Sequence, residues 1–249
     1  MSVKLYLDDA YRREFDAEVT DGADGWCVLS RTLFHPGGGG QPHDKGLLVL
    51  RASEIRVDAV REDEQGRIWH HVGCDLAPGE AVRGAIDWPF RYAVMRHHAL
   101  MHIVNTVARQ HLGGLITGVQ IGPDRSRIDL NLADFTRDRI GAFEALVNAA
   151  IDRASPISSS TISEEEYRRR PELIRTLNVE PPIVDGRVRV VTIAGFDAQA
   201  CGGTHVHSTS EIGPARVARF DNKGKGNKRF YWELVVTDRE DHGALQMSR

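Results

Sequence analysis

The period of the apolar residues changes once along this chain, at Trp88-Pro89, and that change sets what it can fold into. Before it, apolar side chains recur at every second position in 15–20 (FDAEVT), 26–34 (WCVLSRTLF), 46–50 (GLLVL), 55–60 (IRVDAV) and 67–72 (RIWHHV). Successive side chains of a strand point to opposite faces, so each run predicts a half-buried strand. Turn signals separate them: Asp21-Gly22, the run Gly37–Gly40, Glu64-Gln65-Gly66 and Pro78-Gly79. Short strands so spaced predict a small β-barrel or sandwich. Beyond Trp88 the helical period takes over. Val94, Leu100, Met101, Val104, Val107 and Leu112 predict a helix over 91–112, stopped by Gly113-Gly114. Two strands follow in 115–132 around Gly122-Pro123-Asp124. A second amphipathic helix is predicted over 136–153, with Ile140, Phe143, Leu146, Val147 and Ile151 on one side. A shorter charged helix over 163–177 is interrupted by Pro171, and strands return at 187–194, 214–220 and 229–236. The reading is an α+β chain: a small β-barrel domain of residues 1–88, then an α/β domain of residues 89–249.

The chain has 249 residues, 41% hydrophobic and 27% charged, enough for one large or two ordinary domains. Its formal net charge is −3, so any polyanion site must be a local patch. No apolar run approaches the roughly 18 residues that span a membrane. The start, MSVKLYLDDAYRREF, has no long apolar segment and is not read as a signal peptide. A cytoplasmic protein is predicted. Cys27, Cys74 and Cys201 form an odd set without framework spacing, which suits reduced thiols.

Two residue pairs carry chemistry. His98 and His102 are the chain's one His-x3-His, inside the predicted first helix. Positions i and i+4 share a face, about 5–6 Å apart at Cβ, so both imidazoles can reach one ion. Cys201-Gly202-Gly203-Thr204-His205 is the one Cys-x3-His, and its two glycines permit a backbone tight enough to bring both side chains to one point. Three imidazoles and a thiolate form a tetrahedral donor set suited to zinc. Asp197 and Gln199, just upstream, are candidates to orient these ligands. His97, about 100° around the helix from His98, reads as a surface residue or an outer partner. Four protein ligands ordinarily close a structural site, whereas catalysis needs an open position or an expanded coordination shell.

Other features carry less. Four consecutive glycines, Gly37–Gly40, are entropically costly and imply close backbone approach to something. The segment is no phosphate-binding P-loop, since the Lys-Ser/Thr ending is missing. Asn222-Lys223-Gly224-Lys225-Gly226-Asn227-Lys228-Arg229 places four cations in one turn, a solvated hairpin or a phosphate clamp. Arg127 and Asp129 alternate on one strand face and predict a structural ion pair.

RHHALMHIVN (96–105) and DAQACGGTHVHSTSEIGPARVARFDNKGKGNKR (197–229) resemble the editing domain of alanyl-tRNA synthetases and the freestanding AlaX-type editing proteins. TLFHPGGGGQPHDKGLL (32–48) is similar to the glycine-rich signature of the longer AlaX proteins. GAIDWPFRYAVMRHH (84–98) is similar to their domain join, and TGVQIGPDRSRIDLNL (117–132) to the strand pair flooring the editing pocket. The resemblance covers nearly the whole chain and departs from the family at Ala99, usually Thr or Ser, and at Gly37, often polar.

The resemblance implies an N-terminal β-barrel followed by an editing domain of the threonyl/alanyl-tRNA synthetase type. It implies a zinc-dependent hydrolase that needs no ATP and deacylates tRNA(Ala) mischarged with serine or glycine. It implies that Gln120 lines the pocket as a catalytic or specificity residue, with Thr117 next in line to read the serine hydroxyl. It further implies that Gly38, Gly39, Gly40 and Gln41 reach toward the tRNA acceptor end, and it favours Lys223, Lys225, Lys228 and Arg229 as its phosphate clamp. Two other readings compete: a non-catalytic, zinc-stabilised tRNA-binding module, and a zinc hydrolase for a small ester.

Overall fold

The computed structural model describes residues 2–174, 181, 183–224 and 226–235. The N-terminal part holds β1 (Val3–Lys4), β2 (Glu14–Ala23), β3 (Trp26–Leu29), β4 (Arg31–Thr32), β5 (Gly46–Leu50), β6 (Ser53–Val57), β7 (Ala59–Glu62), β8 (Ile68–His71) and β9 (Ala81–Ile86). Seven of them form one sheet in the order β6-β5-β9-β2-β3-β8-β7. Its two edge strands, β6 and β7, are joined by Asp58 alone, so the sheet must curl until its edges meet at a corner. No ladder joins those edges, so the predicted small barrel is present only as a curled, open half-barrel. Phe15, Leu29, Phe34, Leu48 and Ile68 fill its concave side.

The turn of the β2–β3 hairpin is not at Asp21-Gly22, which lies inside β2 beside a register shift. It is at Asp24-Gly25, whose φ values of 53° and 76° give the double left-handed geometry that matches strand twist. Strand β9 was not evident in the sequence, because Gly84 takes an inward position and Ala81 and Ala85 take outward ones, which blurs its apolar alternation.

The helix α1 (Trp88–Leu112) begins where the periodicity changes. Asp87 caps it by accepting from the Phe90 N–H, Pro89 fits its first turn, and Gly113 ends it with φ 69°. Then come β10 (Ile116–Gln120), β11 (Ser126–Leu130), α2 (Ile140–Ile151), β12 (Ile157–Ser163), α3 (Glu164–Arg168), β13 (Ile183–Val184), β14 (Arg187–Ile193), β15 (Asp197–Ala200), β16 (Ala215–Asn222) and β17 (Lys228–Leu234). The charged helix shortens to α3, capped by Ser163 and followed by a single turn over Pro171–Leu173. Its predicted end at 175–177, like residue 236 of the last strand, lies outside the described residues. β12, with the sequence ISSSTIS, was also not evident, because its serines conceal a strand.

Two sheets flank α1. One runs β10-β11-β17-β16, antiparallel throughout, and packs Ile128, Leu130, Phe230 and Trp232 against α1 and α2. The other pairs β12, β13 and β15 with β14. Each fully buried aliphatic or aromatic side chain contributes about 1.5–3 kcal/mol. The two halves are pinned by Arg91 in the first turns of α1. Its buried guanidinium donates to Asp44 Oδ1 at 2.8 Å, to Leu33 O at 2.6 Å and to Ala10 O at 3.1 Å. Removing one partner of such a buried pair costs about 3–5 kcal/mol. The pin fixes the glycine-rich loop, which lies between Leu33 and Asp44, over the start of α1.

Candidate metal centre

His98 and His102 project from one face of α1, with 6% and 5% of their surface exposed, and the loop after β15 brings Cys201 and His205 to the same point. The four ligand atoms lie within 4.8 Å of one another. Cys201 Sγ is 3.4 Å from His98 Nε2 and 3.7 Å from His205 Nε2, and His205 Nε2 is 3.2 Å from His102 Nε2. Bonds of about 2.0–2.3 Å to one small divalent ion set tetrahedral edges of roughly 3.3–3.8 Å. The donors are therefore spaced as a coordination shell. They can hold a metal ion.

The electrostatics agree. Burial holds the imidazoles of His98 and His205 well below their usual range and lowers that of His102 to about 4. All three are neutral and offer a nitrogen lone pair. Burial pushes the Cys201 thiol up, opposed by the Gly203 N–H and the charge of Arg189. The Nδ1 atoms of His102 and His205 are buried without a hydrogen-bond partner among the described residues. Neutral imidazoles crowded nitrogen to nitrogen at 3.2 Å are a site made for a cation.

Gln41 decides which nitrogen His98 presents. Its Oε1 accepts the Thr204 N–H at 3.0 Å, while its amide donates to Thr204 Oγ1 at 3.0 Å. The carbonyl end is thereby fixed, and His98 Nδ1 must donate to it at 2.7 Å, leaving Nε2 free as a ligand. Gln41 is 3% exposed. The expectation that it contacts tRNA is thus corrected: it is a buried brace inside the centre. His35 does similar work from the same loop. It accepts the Gly37 N–H at 3.0 Å and hydrogen-bonds the Gly202 backbone. Arg189, on β14, donates to the carbonyls of Cys201 and Gly203 at 2.9 and 3.0 Å and so shapes the metal loop from below. Sequence reading missed these roles of Gln41, His35 and Arg189. None carried a local signal: Arg189, like Arg187, takes the ordinary outward position between inward valines of a strand.

A cavity of about 990 Å³ opens onto the centre. His98, His102 and Cys201 line its floor, and Gly37, Gly38 and Gly39 overhang it. Ser159, Ser160 and Thr161 of β12 form a hydroxyl-bearing wall, and Tyr6, Leu7 and Lys4 close it from the N-terminal part. Gly40 lies flat on β10: its carbonyl accepts the Ile121 N–H at 2.7 Å, and a Cβ there would fall 2.8 Å from Val119 O. The close backbone approach expected of the glycine run is therefore made on this chain's own strand.

Thr117 and Gln120 do not line the cavity. Val119 and Ile121 face it, so alternation turns Gln120 between them to the opposite, exposed face. Thr117 is exposed and donates to Asn227 Oδ1 at 3.1 Å. Neither is placed to act on a group held at the metal centre. In the basic turn, Lys223 is exposed and Lys225 lies outside the described residues. Lys228 is corrected: it is 5% exposed and its ammonium donates to Asn222 Oδ1 at 2.9 Å. Arg229 is committed to Asp129, with two bonds of 2.7 Å. Asp129 therefore pairs across the sheet with Arg229 and not along its strand with Arg127.

Asp197 and Gln199 are buried behind His102, Gln199 donating to Asp197 Oδ2 and accepting from Asn105 at 3.4 Å. The charge of Asp197 raises the proton affinity of His102. His97 is not a surface residue; it is 1% exposed. Ala99 sits in the apolar core at 0%, where a hydroxyl would find no part in the centre. No helix among the described residues is long and apolar enough to cross a membrane.

Residues 188–231 match the family described as "Threonyl and Alanyl tRNA synthetase second additional domain", and residues 6–90 match "tRNA synthetases class II (A)". An alanyl-tRNA editing protein AlaX-M of Methanosarcina barkeri is 38% identical over 94% of this chain and all of its own length. That of Saccharolobus solfataricus is 36% identical over 94% of this chain and 99% of its own. An alanine–tRNA ligase of Korarchaeum cryptofilum is 39% identical over 86% of this chain, which spans only 24% of that longer enzyme. Similarity from end to end at this level, with both halves matched, settles the affiliation: the chain belongs to the AlaX-M family of alanyl-tRNA editing proteins.

Proposed function

We propose that this protein hydrolyses the ester of mischarged tRNA(Ala), removing serine and glycine, at a zinc ion held by His98, His102, Cys201 and His205. The observation that carries the reading is the convergence of four donor atoms, with contacts of 3.2 to 3.7 Å, at a cavity of about 990 Å³ that three of the four residues, His98, His102 and Cys201, line. A serine side chain needs a small fraction of that space. The remainder suits the terminal nucleoside to which the amino acid is esterified, within the roughly 300–1,000 Å³ usual for ligand sites.

Zinc bound there would supply Lewis acidity beside the ester carbonyl. The rest is work for the chain's own side chains. Gln41 holds His98 in the tautomer that exposes Nε2. Arg189 and His35 fix the loop that carries Cys201 and His205. Gly37, Gly38 and Gly39 roof the site and limit water. Ser159, Ser160 and Thr161 offer hydroxyls to the ribose or the amino acid. Such a site answers a known limit: a synthetase pocket shaped for a methyl group rejects a side chain bearing one added hydroxyl by only ~10². The reaction takes place at a cytoplasmic aminoacyl-tRNA and consumes no ATP.

Deacylation of Ser-, Gly- and Ala-tRNA(Ala) tests the proposal. Release of serine and glycine should greatly exceed release of alanine and should cease on chelation, returning with zinc. Chelation that unfolds the chain, joined to a metal-replete protein that releases no amino acid, would make the centre a structural staple instead.

A further inference from the structure

The outer face of the sheet β10-β11-β17-β16 serves neither the core nor the metal centre. Its inner face carries Ile128, Phe230 and Trp232, each at 0% exposure. Alternation therefore turns Arg127, Arg229 and Tyr231 outward. The registers set Gln120, Arg127, Tyr231 and Arg219 in one row across all four strands. Within that row the Arg219 guanidinium lies over the Tyr231 ring, 5.3 Å from its centroid, and its Nε donates to Asp221 Oδ1 at 2.9 Å at the exposed surface, leaving its other N–H groups to face outward. Arg127 makes no ion pair among the described residues, and its Nε is buried without a hydrogen-bond partner. At the near end of the face, Arg125 and Arg216 share the single carboxylate of Glu233. Lys223 stands exposed at the far end. The formal net charge of the whole chain is −3, so this concentration of cations is local.

We propose that this face docks the RNA strand leading into the cavity, with guanidiniums on its phosphates and one unpaired base stacked on Tyr231. The inference rests on the editing reading, which supplies an RNA with a single-stranded 3′ end. Two arguments favour this occupant. A four-stranded antiparallel sheet with a half-buried aromatic between cations on its outer face offers the elements of single-strand recognition: a π-face for a base, and charge along the backbone. Moreover, the face adjoins the site. β10 is an edge strand, with Val119, and Ile121 just beyond its end, on the cavity side and Gln120 in the cationic row. A strand leaving the cavity crosses one β-strand to reach the row. The opposite side of the cavity offers the hydroxyls of Ser159, Ser160 and Thr161 with Arg187 beside them, while Arg189 is committed to the carbonyls of Cys201 and Gly203.

Full-length variants Arg127→Ala/Arg219→Ala, Tyr231→Ala and Tyr231→Phe test the proposal, with zinc content and thermal unfolding as controls for folding. Affinity for uncharged tRNA(Ala) is measured against salt, and hydrolysis is followed on Ser-tRNA(Ala) and on 3′-O-seryl adenosine, which is too short to reach the sheet. The double arginine variant should lower the slope of log K against log salt by roughly 0.7–0.9 per lost contact. Tyr231→Ala should weaken tRNA binding roughly five- to hundredfold, with Tyr231→Phe close to wild type. Hydrolysis of seryl adenosine should be unchanged in all three. Equal losses on both esters, or unchanged tRNA affinity, overturn the docking surface. So does a loss confined to Ser159→Ala/Ser160→Ala, which would route the strand over β12. If wild-type protein cleaves neither ester while the sheet variants still weaken tRNA binding, the editing reading falls and the docking surface stands.

Discussion

Two glycine-rich loops meet at the metal centre, and their glycines are there for different reasons. In Gly37–Gly40 every residue has positive φ, from 59° to 119°, and at Gly38 and Gly39 an added Cβ would meet nothing within 4 Å. Those two positions need glycine for backbone conformation alone. In the metal loop Gly203 has no left-handed φ, yet a Cβ there would fall 2.3 Å from His98 Cε1 and 2.5 Å from Gln41 Oε1. That position needs glycine for space. Gly40 needs both: φ is 89°, and Val119 O lies 2.8 Å from its Cβ position. Identical residues in a sequence can thus carry unrelated constraints, and substitution separates them.

Gly203→Ala should have the largest effect. The methyl group displaces either His98 or Gln41, both buried and already hydrogen-bonded to each other at 2.7 Å. Metal affinity should fall by more than about 100-fold, beyond the range of a single lost outer partner. Competition with a chromogenic chelator measures it. Full metal occupancy in this variant would mean that the loop shifts freely, and the contrast between the two loops would dissolve.

Gln41→Ala comes next, because it removes the brace without filling space. His98 Nδ1 and the Thr204 N–H lose their shared acceptor, and His98 is free to rotate or change tautomer. Loss of an outer partner of this kind costs about 10- to 100-fold in metal affinity. Gln41→Glu keeps an acceptor at the same place and should recover most of it. If Gln41→Ala binds metal like wild type, the N-terminal loop is only a roof, and the ligands of the C-terminal part organise themselves.

These tests also mark what the sequence could disclose. The ligands were legible because helical periodicity fixes the relation of His98 to His102, and a five-residue loop fixes that of Cys201 to His205. The change of period at Trp88 marked where α1 begins, since Asp87 and Pro89 are local signals. Gln41 was visible only as the end of a glycine run; its partners lie 57 and 163 positions away, and no local pattern reports contacts so distant. Gln120 was misplaced for an opposite reason. Its segment was right, but a shift of one residue along a strand exchanges cavity for solvent, and the irregular register between Ile116 and Gly118 hides that phase. The curl of the N-terminal sheet was likewise beyond local reading. Whether β6 and β7 pair depends on the twist summed over seven strands.

The smallest effect should come from Gly39. Its φ of 59° lies in the left-handed region, and nothing crowds its Cβ position. Alanine there meets only the backbone cost, about 1–2 kcal/mol. Asparagine, whose side chain tolerates that region, should cost less. The loop hangs from Gly40, Gln41 and the Asp44–Arg91 pair, none of which the substitution touches. Metal affinity should therefore remain at the wild-type level in both variants, while thermal stability falls in the order wild type, Gly39→Asn, Gly39→Ala. A conformational requirement gives that order because it depends on φ and not on side-chain volume. A requirement for space gives the reverse, since asparagine is larger. If Gly39→Asn proves the worse variant, another part of the chain packs against Gly39, and that position needs glycine for space as Gly203 does.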